Sequence, residues 1–242
     1  MASLIPPPSI PSDSRPLLLD VAELGVRGIN HALHRPLAEI GSREVRILNS
    51  CGEHNLAVGL TEPLDVHIDG HAGYYIGGMN QQASITVHGN VGWGVGENAM
   101  SGTIRVKGCA SECVGASAHG GLVVVEGDAS SRCGISMKGV DIVVGGSVGH
   151  VSAFMAQAGR LVICGDAGHG LGDSLYEAVI YVRGRIGSLG ADAREEPLGD
   201  ADVAQLTELL ARVGFDHRPR DFRRIASARS LYHWNSDHHQ EY

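Results

Sequence analysis

Apolar residues recur along this chain at a constant spacing of nineteen residues. Triplets with aliphatic first and third positions begin at Val66, Ile85, Ile104, Val123, Ile142, Leu161 and Ile180. A glycine follows two residues after each triplet, at Gly70, Gly89, Gly108, Gly127, Gly146, Gly165 and Gly184. Alternating aliphatic residues are typical of a strand with one buried face, and a fixed period with constant chemistry indicates a solenoid.

A repeat of nineteen residues is too short for a pair of helices and carries no leucine-rich signature. We therefore predict an all-β solenoid, a single-stranded right-handed parallel β-helix of seven nineteen-residue coils, with residues one repeat apart stacked about 4.8 Å from each other. The glycines after the triplets mark corners that need either a positive φ or a close backbone approach. A second set of corners is predicted at Gly77, Gly96, Gly115, Gly134 and Gly172, with Ala153 as the substitute in one coil. Ile47, nineteen residues before Val66, indicates a degenerate eighth coil.

The segments outside the repeats predict three regions: an N-terminal arm with a short helix (1–46), the β-helix (47–191), and a C-terminal helical cap with a polar tail (192–242). The first helix is predicted between Leu17 and about Leu37, with Leu24, Ile29 and Leu33 on its apolar side. A second is predicted from Asp200 to Val213, with Asp200 as its cap and Gly214 at its end. A third is expected from about Phe222 to Tyr232. We expect these helices to cover the terminal coils.

Charge, hydropathy and cysteine content argue against several classes of function. The net charge of −8 argues against a nucleic-acid surface. No stretch approaches the roughly 18 apolar residues of a membrane span, and the N-terminal segment has no secretory signature. Five cysteines, an odd number at irregular spacing, suit reduced thiols. We therefore expect a cytoplasmic protein without nucleic-acid or membrane partners.

Candidate catalytic and metal-binding groups are sparse. Four cysteines occupy different phases of the repeat and cannot stack into a zinc or iron–sulfur site, so we expect buried or half-buried free thiols: Cys109, Cys113, Cys133 and Cys164. His150 and His169 stack but lack a carboxylate partner, which favours surface histidines over a metal site. His233, His238 and His239 resemble a weak metal clamp, although a solvated tail is the favoured interpretation. No nucleophile stands beside a base, so we predict no catalytic, cofactor-binding or metal-binding residue in this chain.

Two sets of outward residues are candidate partner surfaces. Tyr74, Trp93, His150 and His169 share one phase of the repeat and predict a column of rings. Val124, Val143 and Val162 occupy the second place of their triplets, which should point away from the core. Because an exposed apolar strip is costly to leave in water, we expect a terminal segment or another subunit to cover these valines.

The glycine-rich coils resemble a known family. Corners of the form Gly-x-Gly-x-Gly, the segment Asn55–Gly59, the run Gly89–Gly96 and the segment Met100–Thr103 are similar to the C-terminal GXGXG domain of the glutamate synthase large subunit, over about residues 47–191. The Leu189–Asp192 segment and the arginine-rich end are most similar to the stand-alone middle (B) subunit of N-methylglutamate synthase-type assemblies.

This resemblance implies a supporting role within an enzyme complex. In the family, a glutaminase-type amidotransferase subunit and an FMN-binding glutamate synthase-like subunit hold the active sites, and the β-helix lies between them. The resemblance thus implies FMN on a partner subunit, an iron–sulfur cluster as a further candidate there, and no cofactor on this chain. The expected chemistry is transfer of nitrogen, or exchange of methylamine for ammonia, on glutamate.

Two other functions stay open on sequence grounds. The β-helical C subunit of formylmethanofuran dehydrogenase, or of the related formyltransferase/hydrolase complex, is also similar and non-catalytic. A carbohydrate-active β-helix enzyme belongs to a different class, and turnover of a polysaccharide by the isolated chain would identify it.

Overall fold

The computed structural model describes residues 15–229 and places eleven strands in one sheet. The strands are β1 (Leu17–Asp20), β2 (Glu44–Leu48), β3 (Asp65–Ile68), β4 (Ser84–Val87), β5 (Thr103–Val106), β6 (Leu122–Val125), β7 (Lys138–Val144), β8 (Ala158–Ile163), β9 (Val179–Val182), β10 (Ala193–Glu196) and β11 (Arg223–Ser227). Helices α1 (Val21–Leu33), α2 (Leu37–Ile40) and α3 (Asp200–Val213) and the 3₁₀ turn Pro219–Asp221 complete the fold. Among residues 15–229, we find no helix whose length and apolar character would carry it across a bilayer.

The predicted parallel β-solenoid is confirmed by the pairing of these strands. Strands β1 to β9 run parallel in chain order, and from β3 to β9 each triplet residue pairs with the one nineteen positions later, as in Val66 with Ile85. The register shifts at the start of β7, where Lys138 pairs with Ala158, twenty positions later. A second parallel ladder joins Ala72 to Val91 and continues coil by coil to Ile186. The first and third triplet residues are buried in one continuous core. Burial of these aliphatic side chains holds the register, because a slip of one residue would turn them outward.

Two kinds of corner shape each coil, and they use small residues for different reasons. In the set that follows the triplets, only Gly70 has a positive φ. The other six are needed for close approach: a Cβ atom added at Gly89 would lie 2.5 Å from the carbonyl oxygen of Gly70. At the second corner the backbone is left-handed, with φ of 62° at Gly115 and 57° at Ala153.

One side of the stack carries a ladder of side-chain acceptors that the sequence interpretation missed. At the same corner of successive coils, a side chain accepts the backbone N–H of the next coil at 2.7–3.4 Å. The acceptors are His71, Asn90, Cys109, Asp128, Ser147 and Asp166. The signal in the sequence is an acceptor at a constant phase, hidden by the change of residue type from coil to coil.

The N-terminal segment departs from the prediction in two ways. Residues 17–20, predicted as helix, form strand β1, which extends the sheet beside β2. The eighth coil exists, but its register is 21 residues rather than 19, because Val45 and not Ile47 pairs with Val66. Helix α1 then buries Ile29 and Leu33 in the core, whereas Leu24 is 46% exposed. The apolar side of α1 thus closes the first coil without Leu24.

The C-terminal segment also differs from the prediction in part. Helix α3 spans the predicted residues, but Asp200 is not its cap: Asp202 accepts the backbone N–H of Gly199 at 2.9 Å. The predicted third helix is wrong, since residues 223–227 form β11, antiparallel to both β9 and β10. Strand β11 satisfies the edge of β9 that would otherwise leave backbone groups unpaired. Residues 230–232 of that predicted helix, and the tail histidines His233, His238 and His239, lie outside the described residues.

Candidate functional site

The three valines predicted as a covered strip are closed by the chain itself. Val124, Val143 and Val162 are fully buried. They form a second apolar cluster with residues of α3 and the segment after it, including Leu206, Leu209, Leu210, Val213 and Phe222. Of the two coverings we expected, a terminal segment and another subunit, the terminal segment occupies this face. The valines are therefore not an open partner surface. The prediction that placed them among the candidate partner-surface residues is corrected on this point.

Polar contacts hold α3 and β11 together at the edge of this cluster. The Tyr181 hydroxyl donates to Asp202 at 2.6 Å, and the Arg224 guanidinium donates to the same carboxylate at 3.1 Å. Arg224 also pairs with Glu196 on β10. Burial alone would raise the pKa of Asp202, but hydrogen bonds from Tyr181 and Gly199 and the charge of Arg224 outweigh it and lower that pKa below its usual value. The ionised carboxylate is thus part of the closed structure.

The far end of α3 is attached to strand β5. Arg105 donates to the Val213 carbonyl at 3.1 Å and to Glu126 at 2.9 Å. A cation beside the last carbonyls of a helix is favoured by the helix dipole. Lys107 adds a second donor to Glu126 at 2.7 Å. Burial would raise the pKa of Glu126, but the two cations lower it overall.

The aromatic column exists only at its N-terminal end. The rings of Tyr74 and Trp93 stack with centroids 5.9 Å apart, and the two side chains are 44% and 47% exposed. The sequence interpretation missed His54, whose ring lies on Tyr74 at 4.3 Å with an interplanar angle of 6°. A count of nineteen does not find His54, because His54 precedes Tyr74 by twenty positions.

His150 and His169 lie on the same phase but are separated from Tyr74 and Trp93. Both histidines are exposed, and the intervening coils carry Glu112 and Ser131 at this phase. The Ser131 hydroxyl lies 2.9 Å from the His150 Nδ1 atom. A nucleophile does therefore stand beside a base, contrary to the prediction. Because Ser131 is only 5% exposed, we interpret this pair as a structural link between two coils.

Two further exposed apolar side chains lie on the turn that begins at Tyr74. Tyr75 and Met79 are 42% and 52% exposed and lie on the same turn, residues 74–79. The matching turn of the next coil, residues 93–98, begins with Trp93. We define the aromatic face as His54, Tyr74, Tyr75, Met79 and Trp93. It is the candidate functional site, because large apolar side chains clustered in water mark interaction surfaces.

The thiols and histidines elsewhere show no metal-binding arrangement in the part of the chain that the structure describes. No group of three or more histidine, cysteine, aspartate or glutamate side chains there could hold a metal ion. Burial raises the pKa of Cys133 to about 12 and that of Cys164 to about 11, so both stay protonated thiols. Cys113 is half-buried, as expected, whereas Cys109 is exposed and serves as a rung of the acceptor ladder.

Comparison with known proteins finds a close relative. Protein GlxC of Rhizobium meliloti (strain 1021) is 50% identical over 226 residues, which cover 93% of this chain and 99% of that protein. This chain belongs to the GlxC family. No family model matches the GlxC-family chain, and no solved structure matches it. The resemblance to the GXGXG domain therefore stays a prediction.

Proposed function

We propose that this GlxC-family chain is a glutamate synthase-like subunit, and that it acts as a non-catalytic scaffold. In this role it positions a glutaminase-type amidotransferase subunit against an FMN-binding synthase subunit, as in N-methylglutamate synthase-type assemblies. The proposal draws on the similarity of the glycine corners to the GXGXG domain. The single observation that carries it is the continuous stack from β3 to β9, whose seven triplets keep one nineteen-residue register.

The physical argument is rigidity. Seven coils at the spacing of hydrogen-bonded strands make a prism roughly 35 Å long. Its interior is filled with buried aliphatic side chains, and protein interiors packed in this way deform little. Such a body can hold two reacting sites in a constant relation, so that a reactive amine need not escape into solution. In this proposal FMN, and any iron–sulfur cluster, belongs to the partner subunits.

The test is native mass spectrometry of the tagged chain purified from its own cells, with the recombinant lone chain as control. We expect a complex that contains an amidotransferase-type subunit and a flavoprotein, with flavin absorbance in the complex and none in the lone chain. Glutamate formation should require the complex. Purification of the chain without either subunit, or turnover of a substrate by the lone chain, would contradict the proposal.

A further inference from the structure

The aromatic face is built into the coils rather than scattered over them. A Cβ atom added at Gly73 would overlap His54, and one added at Gly92 would overlap the ring of Tyr74. At Gly94 a Cβ atom would lie 2.8 Å from the ring of Tyr75. These three rings thus pack against glycines of the next coil, where any larger residue would displace them. Preorganised aromatic side chains lose little entropy when a partner binds.

Two acidic residues lie beside this face, Glu97 in space and Glu53 along the chain. The Glu97 carboxylate lies beside Tyr75, since an added Cβ at Gly94 would be 2.9 Å from its Oε2 atom. Glu53 lies next to His54 in the sequence and is exposed. Neither glutamate forms an ion pair within residues 15–229, in contrast to Glu112, which pairs with Arg132 in the following coils. The face therefore combines flat rings with unpaired negative charge.

These features suit one class of side chain. An arginine guanidinium stacks on tyrosine and tryptophan rings and forms paired hydrogen bonds with carboxylates. A second copy of the same face would oppose its own glutamates, which is unfavourable. We propose that the aromatic face, with Glu53 and Glu97, docks an arginine-bearing segment of a partner subunit. This inference rests on the proposed function, because it requires that partner subunits exist.

The experiment measures binding of the full chain to the partner subunits purified from the native complex, by calorimetry. The Tyr74→Ala, Trp93→Ala double variant should bind roughly a hundredfold more weakly, as expected for central aromatic contacts. Glu97→Gln, which keeps the shape of the side chain, should weaken binding about tenfold and reduce its salt dependence. Met155→Ala is the matched control: Met155 occupies the phase of Met79 four coils later and is 37% exposed. Its affinity should stay within about twofold, since surface contacts outside an interface contribute little.

Circular dichroism of each variant shows whether the coils remain folded, and Glu97→Gln tests the inference even if the double variant does not fold. Wild-type affinity of both altered chains would overturn the assignment of this face while leaving the scaffold function intact. A wild-type chain that binds no amidotransferase or flavoprotein subunit would refute the proposed function, and the docking inference with it. A wild-type dimer that the double variant abolishes would identify a second copy as the occupant and overturn the proposal.

Discussion

The valine strip (Val124, Val143 and Val162) and the aromatic face are both outward apolar surfaces of one solenoid, but only the valine strip is buried. Val124, Val143 and Val162 lie on flat strands and are buried under α3. Tyr74 and Trp93 lie on turns and are almost half exposed. The comparison shows that an outward apolar residue in a repeat does not by itself indicate whether the same chain covers it.

The sheet itself shows where the covering stops. The second triplet place changes from His67, Thr86 and Arg105 in the earlier coils to apolar or aromatic residues in the later ones, namely Val124, Val143, Val162 and Tyr181. Arg105 marks the boundary, because its guanidinium donates to the carbonyl of Val213 at the end of α3. A helix that covers the apolar coils gains their burial, whereas covering the polar coils would cost desolvation. The extent of α3 thus follows the change in side-chain chemistry.

The largest effect is expected from a charge placed under α3. Val143→Asp would bury an unpaired carboxylate in a fully buried position and should lower the free energy of unfolding by about 3–5 kcal/mol. Thr86→Asp is the matched control, because Thr86 holds the same place of its triplet outside the helix, and it should cost about 0.5 kcal/mol or less. Urea unfolding followed by circular dichroism measures both. Equal effects would mean that α3 does not close this face.

A smaller effect is expected from the hydroxyl that joins the sheet to α3. Tyr181→Phe removes the 2.6 Å hydrogen bond to Asp202 and should lower the unfolding free energy by about 1–2 kcal/mol. Tyr74→Phe removes a hydroxyl from the open face and serves as the control, with an expected change near zero. Thermal unfolding of both variants provides the measurement. A neutral Tyr181→Phe would show that the polar contacts do not hold the helix.

The same contact predicts a contribution to the pH dependence of stability from the covered face. Because the folded pKa of Asp202 is lowered, its contribution to stability is present above the unfolded pKa, near pH 4, and is lost as the pH falls through the folded value. Stability should therefore decline below about pH 4. Asp202→Asn should make this decline shallower, and Met155→Ala should leave it unchanged. Denaturant unfolding at several pH values tests the difference, and identical profiles for Asp202→Asn and wild type would contradict it.

The smallest effect is expected on the open face. Trp93→Ser removes one stacking contact from a half-exposed ring and should lower the unfolding free energy by only about 0.5–1 kcal/mol. A loss as large as that of Val143→Asp, measured in the same urea series, would mean that the aromatic face is part of the fold rather than a surface kept for a partner.

Local periodicity allowed much of this fold to be predicted from the sequence. The triplets and their register follow from apolar residues that recur every nineteen positions. Helix α3 follows from apolar residues that recur at helical spacing. Strands β1 and β11 were missed because each is stabilised by an edge far away in the sequence, so leucines or arginines that suit a helix become a strand. The register of 21 before β3 departs from the nineteen-residue period, so the period could not predict it.

Only part of the candidate site could be predicted from the sequence, for a similar reason. Tyr74 and Trp93 share a phase and could be found by counting, whereas His54 joins them through a twenty-residue coil. The valine strip could be recognised as covered, but its cover lies at residues 200–213 and is identified only by packing. Separating an open surface from a closed one required the three-dimensional structure.

Hydrogen–deuterium exchange of the chain, alone and in its native complex, tests most directly whether the aromatic face and not the valine strip meets a partner. We predict that amides of the turns 74–79 and 93–98 exchange more slowly in the complex. Amides of β6 and β8 should be protected equally in both states, because α3 already covers these strands. Unchanged exchange in both turns, together with altered exchange in β6, β8 or α3, would contradict this account.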